Sequence, residues 1–121
     1  MIKMIFCLKR RADLTVEEFL KYWLERHAPL VHSYASDLNI RRYVQSHSLP
    51  ESMAKGGPRG SEAVHFDGVA ELWWDDWESF TEPRQTARGQ AAGLALLEDE
   101  RNFIDLAHSP IFFTREHVIV G

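Results

Sequence analysis

Residues 22–30, YWLERHAPL, hold the feature around which the rest of the chain can be read. Trp23 and His27 stand four apart, so on a helix they share one face. Phe19 and Leu20 lie behind them on the same stripe, and Leu30, Val31 and Tyr34 lie ahead. An ionisable imidazole set in an apolar and aromatic stripe marks a candidate site. Pro29 has no N–H and drives Ala28 away from the α region, so the helix is expected to bend or restart there. His27 then sits at the junction. The rival reading is a structural histidine that fills the break and bonds a freed carbonyl.

Upstream, residues 2–8 (IKMIFCL) read as a buried strand. Thr15 and Glu18 form a T-x-x-E capping box, so the first helix is expected over about 16–27, resuming over about 29–36. Downstream, 37–39 is turn-like and 40–48 (IRRYVQSHS) is a second strand. Its faces carry Ile40, Arg42, Val44 and Ser46 on one side, and Arg41, Tyr43, Gln45 and His47 on the other. Residues 49–64 are rich in Gly and Pro without periodicity, a hairpin connection in preference to a lid. In the third strand, 65–74 (HFDGVAELWW), Phe66, Gly68, Ala70, Leu72 and Trp74 share a face. The small Gly68 and Ala70 assign that face to a closely packed helix, so Glu71 points to the other side of the sheet.

Asp75-Asp76 cap a helix beginning near Trp77. Pro83 interrupts it, and a second segment over about 84–102 carries an apolar set of Ala87, Ala91, Leu94, Ala95 and Leu97, extended by Phe103 or Ile104. Glu98-Asp99-Glu100 reads as a solvated face. Residues 103–109 are a connector, with a local Asp105–His108 network, and 110–120 hold a last strand and an apolar tail.

The order β-α-β-β-α-β defines an α+β, ferredoxin-like protomer: a four-stranded antiparallel sheet with helices on one face. Val69, Trp73 and Tyr43 are expected on the opposite face, too apolar to stay wet. A second copy is the economical cover. The expected assembly is a homodimer with facing sheets, to which the HVIVG tail contributes.

The chain has 121 residues, one domain's worth. The net charge of −4 and the absence of any basic run longer than Lys9-Arg10-Arg11 argue against nucleic acid. A lone Cys7 excludes an internal disulfide and suits the cytoplasm. No stretch approaches a membrane span or an export signal. Neither metal-ligand spacing nor a nucleotide-binding glycine loop occurs, so no cofactor is expected.

The F-x-x-x-W-x-x-x-H-A-P order of Phe19, Trp23, His27, Ala28 and Pro29, followed by YVQ-x-H and DG-x-A-E, resembles the EthD-like family of the dimeric α+β barrel superfamily over essentially the full length. The resemblance implies a dimer of ferredoxin-like protomers, each with a cleft between sheet and helices. Proteins of similar fold include lactone isomerases, dehydratases or decarboxylases of aromatic polyketides, and cofactor-free monooxygenases, so the family specifies fold far better than reaction.

The expected chemistry is proton transfer in a shielded cleft, with His27 and Glu71 as catalytic candidates. Trp23, Tyr34, Tyr43 and Trp73 are candidate ligand-binding walls, and His47 is a second-rank candidate on the Tyr43 face. The expected activity is cofactor-free isomerase, lyase or oxygenase-type chemistry on a cyclic or aromatic carbonyl compound. The alternative is an accessory protein that binds an apolar metabolite for a partner oxygenase.

Overall fold

The computed structural model describes residues 1–50, 57–61 and 65–121. Strand β1 (Ile2–Leu8) lies inside a four-stranded sheet of order β2-β3-β1-β4, with β2 at Arg42–His47, β3 at Gly68–Trp74 and β4 at Ile111–Arg115. Every pairing is antiparallel. Helices α1 (Val16–Tyr22), α2 (Ala28–Tyr34), α3 (Trp77–Thr81) and α4 (Ala87–Glu100) complete the β-α-β-β-α-β order. This is the expected α+β, ferredoxin-like arrangement. The second and third strands are shorter than the sequence suggests, and the tail beyond Arg115 forms no strand. Most of the 49–64 connection falls outside the described residues, so the hairpin-or-lid question falls there too.

Register decides which side chains meet the helices. Phe6 pairs with Ala70 and Met4 with Leu72, while Tyr43 also pairs with Leu72. The face bearing Gly68, Ala70, Leu72 and Trp74 is thus the helix-covered one, and Tyr43, Gln45 and His47 share it. This corrects the placement of Tyr43 on the open face: a strand's alternation shows which residues go together, but only pairing to β3 shows where they point. Gly68 is needed for the close approach, because a Cβ there would collide with the Trp23 ring and the Ser46 carbonyl.

The α1–α2 passage departs from expectation. Thr15 and Glu18 form the reciprocal capping box. There is, however, no restart at Pro29. Residues Trp23–His27 wind as a π-helical turn, and the Ala28 N–H bonds the Trp23 carbonyl five residues back. The backbone stays right-handed helical at Tyr22, His27 and Ala28. Phe19, Trp23, His27 and Val31 are all buried, at spacings of four. In a regular α-helix each step of four overshoots a turn by about 40°, so Val31 would end roughly 120° from Phe19. The slower π winding offsets that drift and holds all four on one line. The left-handed backbone at Asn39 (φ 58°) then turns the chain toward β2.

The inward phase of α4 also differs. Gly89, Ala92 and Leu96 are its buried residues, and Leu94 is exposed. Alanines and leucines together lie on every side of α4, which gave the sequence little amphipathic contrast, so the phase is set by packing.

Candidate functional site

Between the helix-facing side of the sheet and helices α2 and α4 lies a cavity of about 340 Å³, at the small end of ordinary ligand pockets. Apolar side chains dominate it: Met4, Phe6, Ala70 and Leu72 from the sheet, Val31 from α2 and Leu96 from α4. Beside the Trp23 and Trp74 indoles, its polar side chains are His27, Tyr43, Arg84, Gln90 and Glu100.

His27 is 5% exposed, against Phe103. Its Nδ1 lies 2.7 Å from Asp99 Oδ2, on a residue 72 positions later in the chain. The other Asp99 oxygen accepts the Tyr22 hydroxyl at 2.5 Å, and Asn102 donates to both Tyr22 and Asp99. Burial pushes the Asp99 carboxyl up, but the bonds from Tyr22 and His27 outweigh it and hold the group below its ordinary range. Burial pushes the His27 imidazole below its ordinary 6.5, against the pull of Asp99. A neutral imidazole beside a carboxylate carries its proton on Nδ1, so Nε2 is a free acceptor. Among the described residues, every buried side-chain nitrogen and oxygen has a hydrogen-bond partner. Nε2 has none, so it is open to the cavity that His27 lines.

Tyr43 lies across the cavity on β2. Burial raises its hydroxyl to about 12, with a smaller upward push from Glu100 and opposing bonds from Gln45 and Trp23. Gln45 donates to the phenolic oxygen at 2.8 Å and to the Trp23 carbonyl at 2.9 Å. The O–H proton of Tyr43 has no acceptor among the described residues. His47 stacks on Trp23 with ring centroids 4.7 Å apart and bonds Gln45 Oε1 at 2.9 Å. It supports the wall from behind and does not line the cavity.

Glu100 occupies the inward line of α4, four residues beyond Leu96. No described residue donates a hydrogen bond to its carboxyl. Burial first, then the Asp99 charge, raises it to about 7. The sequence reading of 98–100 as a solvated face therefore holds only for Glu98, which is exposed and pairs with Arg101 at 3.0 Å. The available signal was a carboxylate in phase with Ala92 and Leu96. Nothing local marked Asp99.

The other sequence candidates lie elsewhere. Glu71 points away from the cavity and pairs with Lys3 at 2.7 Å, not with Arg41 or Arg42. Trp73 shares that open face, where Arg42 and Lys3 sit over its ring and Glu116 accepts its indole N–H. Alternation along β3 sends both away from His27. Tyr34 packs with Val31, Leu38, Ala92 and Leu96 outside the cavity lining. The cavity's β3 tryptophan is Trp74, whose indole donates to the Leu38 carbonyl. Cys7, on the open face, has its thiol raised by burial, which disfavours the thiolate. Asp67 is engaged by Arg10 at 2.8 Å, and His108 meets Asp105 at 2.9 Å as the connector suggested. Among the described residues no cluster of His, Cys, Asp and Glu could hold a metal ion. None of their helices is long and apolar enough to cross a membrane.

The family model for the EthD domain matches residues 11–107. The chain belongs to the EthD family. The solved structures support the fold. An EthD family protein of Bacillus halodurans C-125 is 20% identical, with 97% of this chain and 99% of that one covered and a TM-score of 0.64. A dimeric protein of unknown function and ferredoxin-like fold from Bacteroides fragilis is 14% identical, with 95% of each chain covered and a TM-score of 0.59. An EthD-like protein of Ralstonia eutropha JMP134 is 18% identical, covering 98% and 93%, with a TM-score of 0.56. No curated protein matches. In this EthD protein, then, the π-helical turn and the end of α4 bring an imidazole and two adjacent carboxylates to one end of an apolar cavity.

Proposed function

We propose that this EthD protein is a cofactor-free enzyme that moves protons on a compact cyclic or aromatic carbonyl compound. The observation that carries the reading is the His27–Asp99 pair, 2.7 Å apart, with the free ring nitrogen open to an apolar cavity. His27 Nε2 takes a proton from the carbon next to the carbonyl, and Asp99 stabilises the resulting imidazolium. The electron pair moves into a carbon–carbon double bond and onto the carbonyl oxygen. The Tyr43 O–H donates to that oxygen, and Glu100 supplies its proton. Return of the His27 proton at another carbon, while the enol oxygen gives its proton back to Glu100, gives an isomer, so both groups are regenerated and the cycle is redox-neutral. Asp99 takes the carboxylate role that the sequence assigned to Glu71.

The open sheet face, with Ile5, Val44, Val69 and the half-exposed Phe112, is proposed to pair with a second copy in a cytoplasmic homodimer. The Bacteroides fragilis protein of similar fold is described as dimeric. The exposed apolar stretch Val118, Ile119 and Val120 adds surface to such an interface.

The test is exchange of the α-hydrogens of 2-tetralone in D2O, followed by NMR. Wild type should accelerate exchange over buffer, and His27→Gln should lose roughly 100-fold or more of that acceleration. The apolar lining favours a second reading, an accessory protein that holds a metabolite for a partner oxygenase. Saturable 2-tetralone binding with no exchange above buffer would select that reading and overturn the first.

A further inference from the structure

We propose that the substrate carries a carboxylate at the end of the cavity away from His27, and that Arg84 reads it. The inference rests on the functional reading above and deepens it by naming a substrate class.

The cavity has two polar ends. Helix α4 runs along it, placing Gln90 near one end and Glu100 at the other. The ten residue steps from Gln90 to Glu100 rise about 15 Å. His27, joined to Asp99, belongs to the Glu100 end. Arg84 lies on the 3-10 turn Glu82–Gln85 before α4, and Gln90 Nε2 bonds its backbone carbonyl at 2.9 Å. Between these ends the lining is apolar.

Arg84 is the arginine that lines the cavity, whereas Arg26, Arg42 and Arg115, which also lack an ion pair among the described residues, lie outside the lining. Arg10, Arg11, Arg41, Arg88 and Arg101 each hold a carboxylate. Arg84 pairs with no carboxylate among the described residues. It is nevertheless fixed in place: its guanidinium sits 3.5 Å from the Phe80 ring centroid, and Nη1 donates to the Phe80 carbonyl at 2.6 Å. Those contacts leave Nε and Nη2, the edge of the guanidinium that matches the two oxygens of a carboxylate. Burial lowers the Arg84 pKa, so a cation held here without a counter-ion gains from an anionic ligand. A fixed, unpaired guanidinium bordering an apolar cavity, with proton carriers at the far end, fits a ring compound with a carboxylate at one end and its reacting carbonyl at the other.

The experiment compares 2-naphthoate with its neutral isostere 2-naphthamide by calorimetric titration at pH 7.5. Wild type should bind naphthoate about tenfold more tightly, and the preference should shrink as salt is raised. Arg84→Gln should bring naphthoate to the naphthamide affinity, and Arg84→Lys should keep part of the preference through its charge. Retained naphthamide binding shows that each variant is folded. Equal binding of both probes by wild type overturns the proposal, as does an Arg84→Gln protein that still prefers naphthoate. If neither probe binds while 2-tetralone exchange proceeds, the carboxylate inference fails and the proton-transfer reading survives. If exchange also fails, both fall.

Discussion

Replacing Glu100 by glutamine tests the cavity without knowledge of the substrate. The folded protein raises this carboxyl from 4.5 to about 7, chiefly by burial. A raised carboxyl contributes its full stability below its unfolded value, where both states are protonated. That stability is lost as pH rises from 4.5 through about 7, because the unfolded chain ionises first. At about 1.4 kcal/mol per tenfold change, the cost is roughly 3 kcal/mol once both states are ionised. Glutamine keeps the shape and cannot ionise. At pH 4 the variant and wild type should be nearly equally stable, and by pH 8.5 the variant should be the more stable by roughly 3 kcal/mol. Urea unfolding at half-unit intervals measures this directly. A slope of about 1–3 kcal/mol per molar urea turns it into a midpoint shift on the order of 1–3 M. Titrations common to both proteins, His27 and Asp99 among them, largely cancel in the difference. A stability difference that stays flat between pH 4 and pH 8.5 would refute the placement of Glu100 in a water-poor cavity, and with it the proton-donor role.

Catalysed 2-tetralone exchange should follow a bell in pH. The acid limb falls as His27 protonates, below its ordinary 6.5, and the alkaline limb falls as Glu100 ionises near 7. Glu100→Gln should remove the alkaline limb, which a rate profile from pH 4 to 9 would show. Gly68→Ala should cost about 1–3 kcal/mol in urea unfolding, since the new methyl group meets the Trp23 ring and the Ser46 carbonyl. Gly93→Ala, with nothing within 4 Å of the added atom, should instead gain up to about 1 kcal/mol from helix propensity. Phe112→Asp, on the open sheet face, should convert the proposed homodimer to monomer in sedimentation velocity. A wild type that already sediments as a monomer would defeat that part of the reading.

Much of the fold was legible because its cues are local. The Thr15–Glu18 box, the small residues of β3 and the interruption at Pro83 each act over a few residues. His27 stood out for a similar reason: it is the only ionisable group on the Phe19–Trp23–Val31 line. The π-helical turn was not read: Pro29 suggested a break, and only the burial of four residues at intervals of four shows that the winding must be slower than a regular α-helix. Three carboxylates were harder to read. Glu98, Asp99 and Glu100 form a run whose members face solvent, His27 and the cavity in turn, and the alanine-rich α4 gives almost no contrast by which to set its phase. Glu71 looked equally available and belongs to a different surface.

The sequence by itself determined the order of elements, the caps, the grouping of side chains by face and the imidazole within its apolar line. Local periodicity and backbone chemistry suffice for these. Only the tertiary structure decided that Tyr43 turns inward, that Lys3 neutralises Glu71, that Asp99 meets His27 across 72 residues, and that Arg84 is left without a carboxylate among the described residues. Those pairings depend on strand register and on the rotation of α4 against the sheet. A shift of one residue in either would exchange the partners while leaving the local pattern almost unchanged.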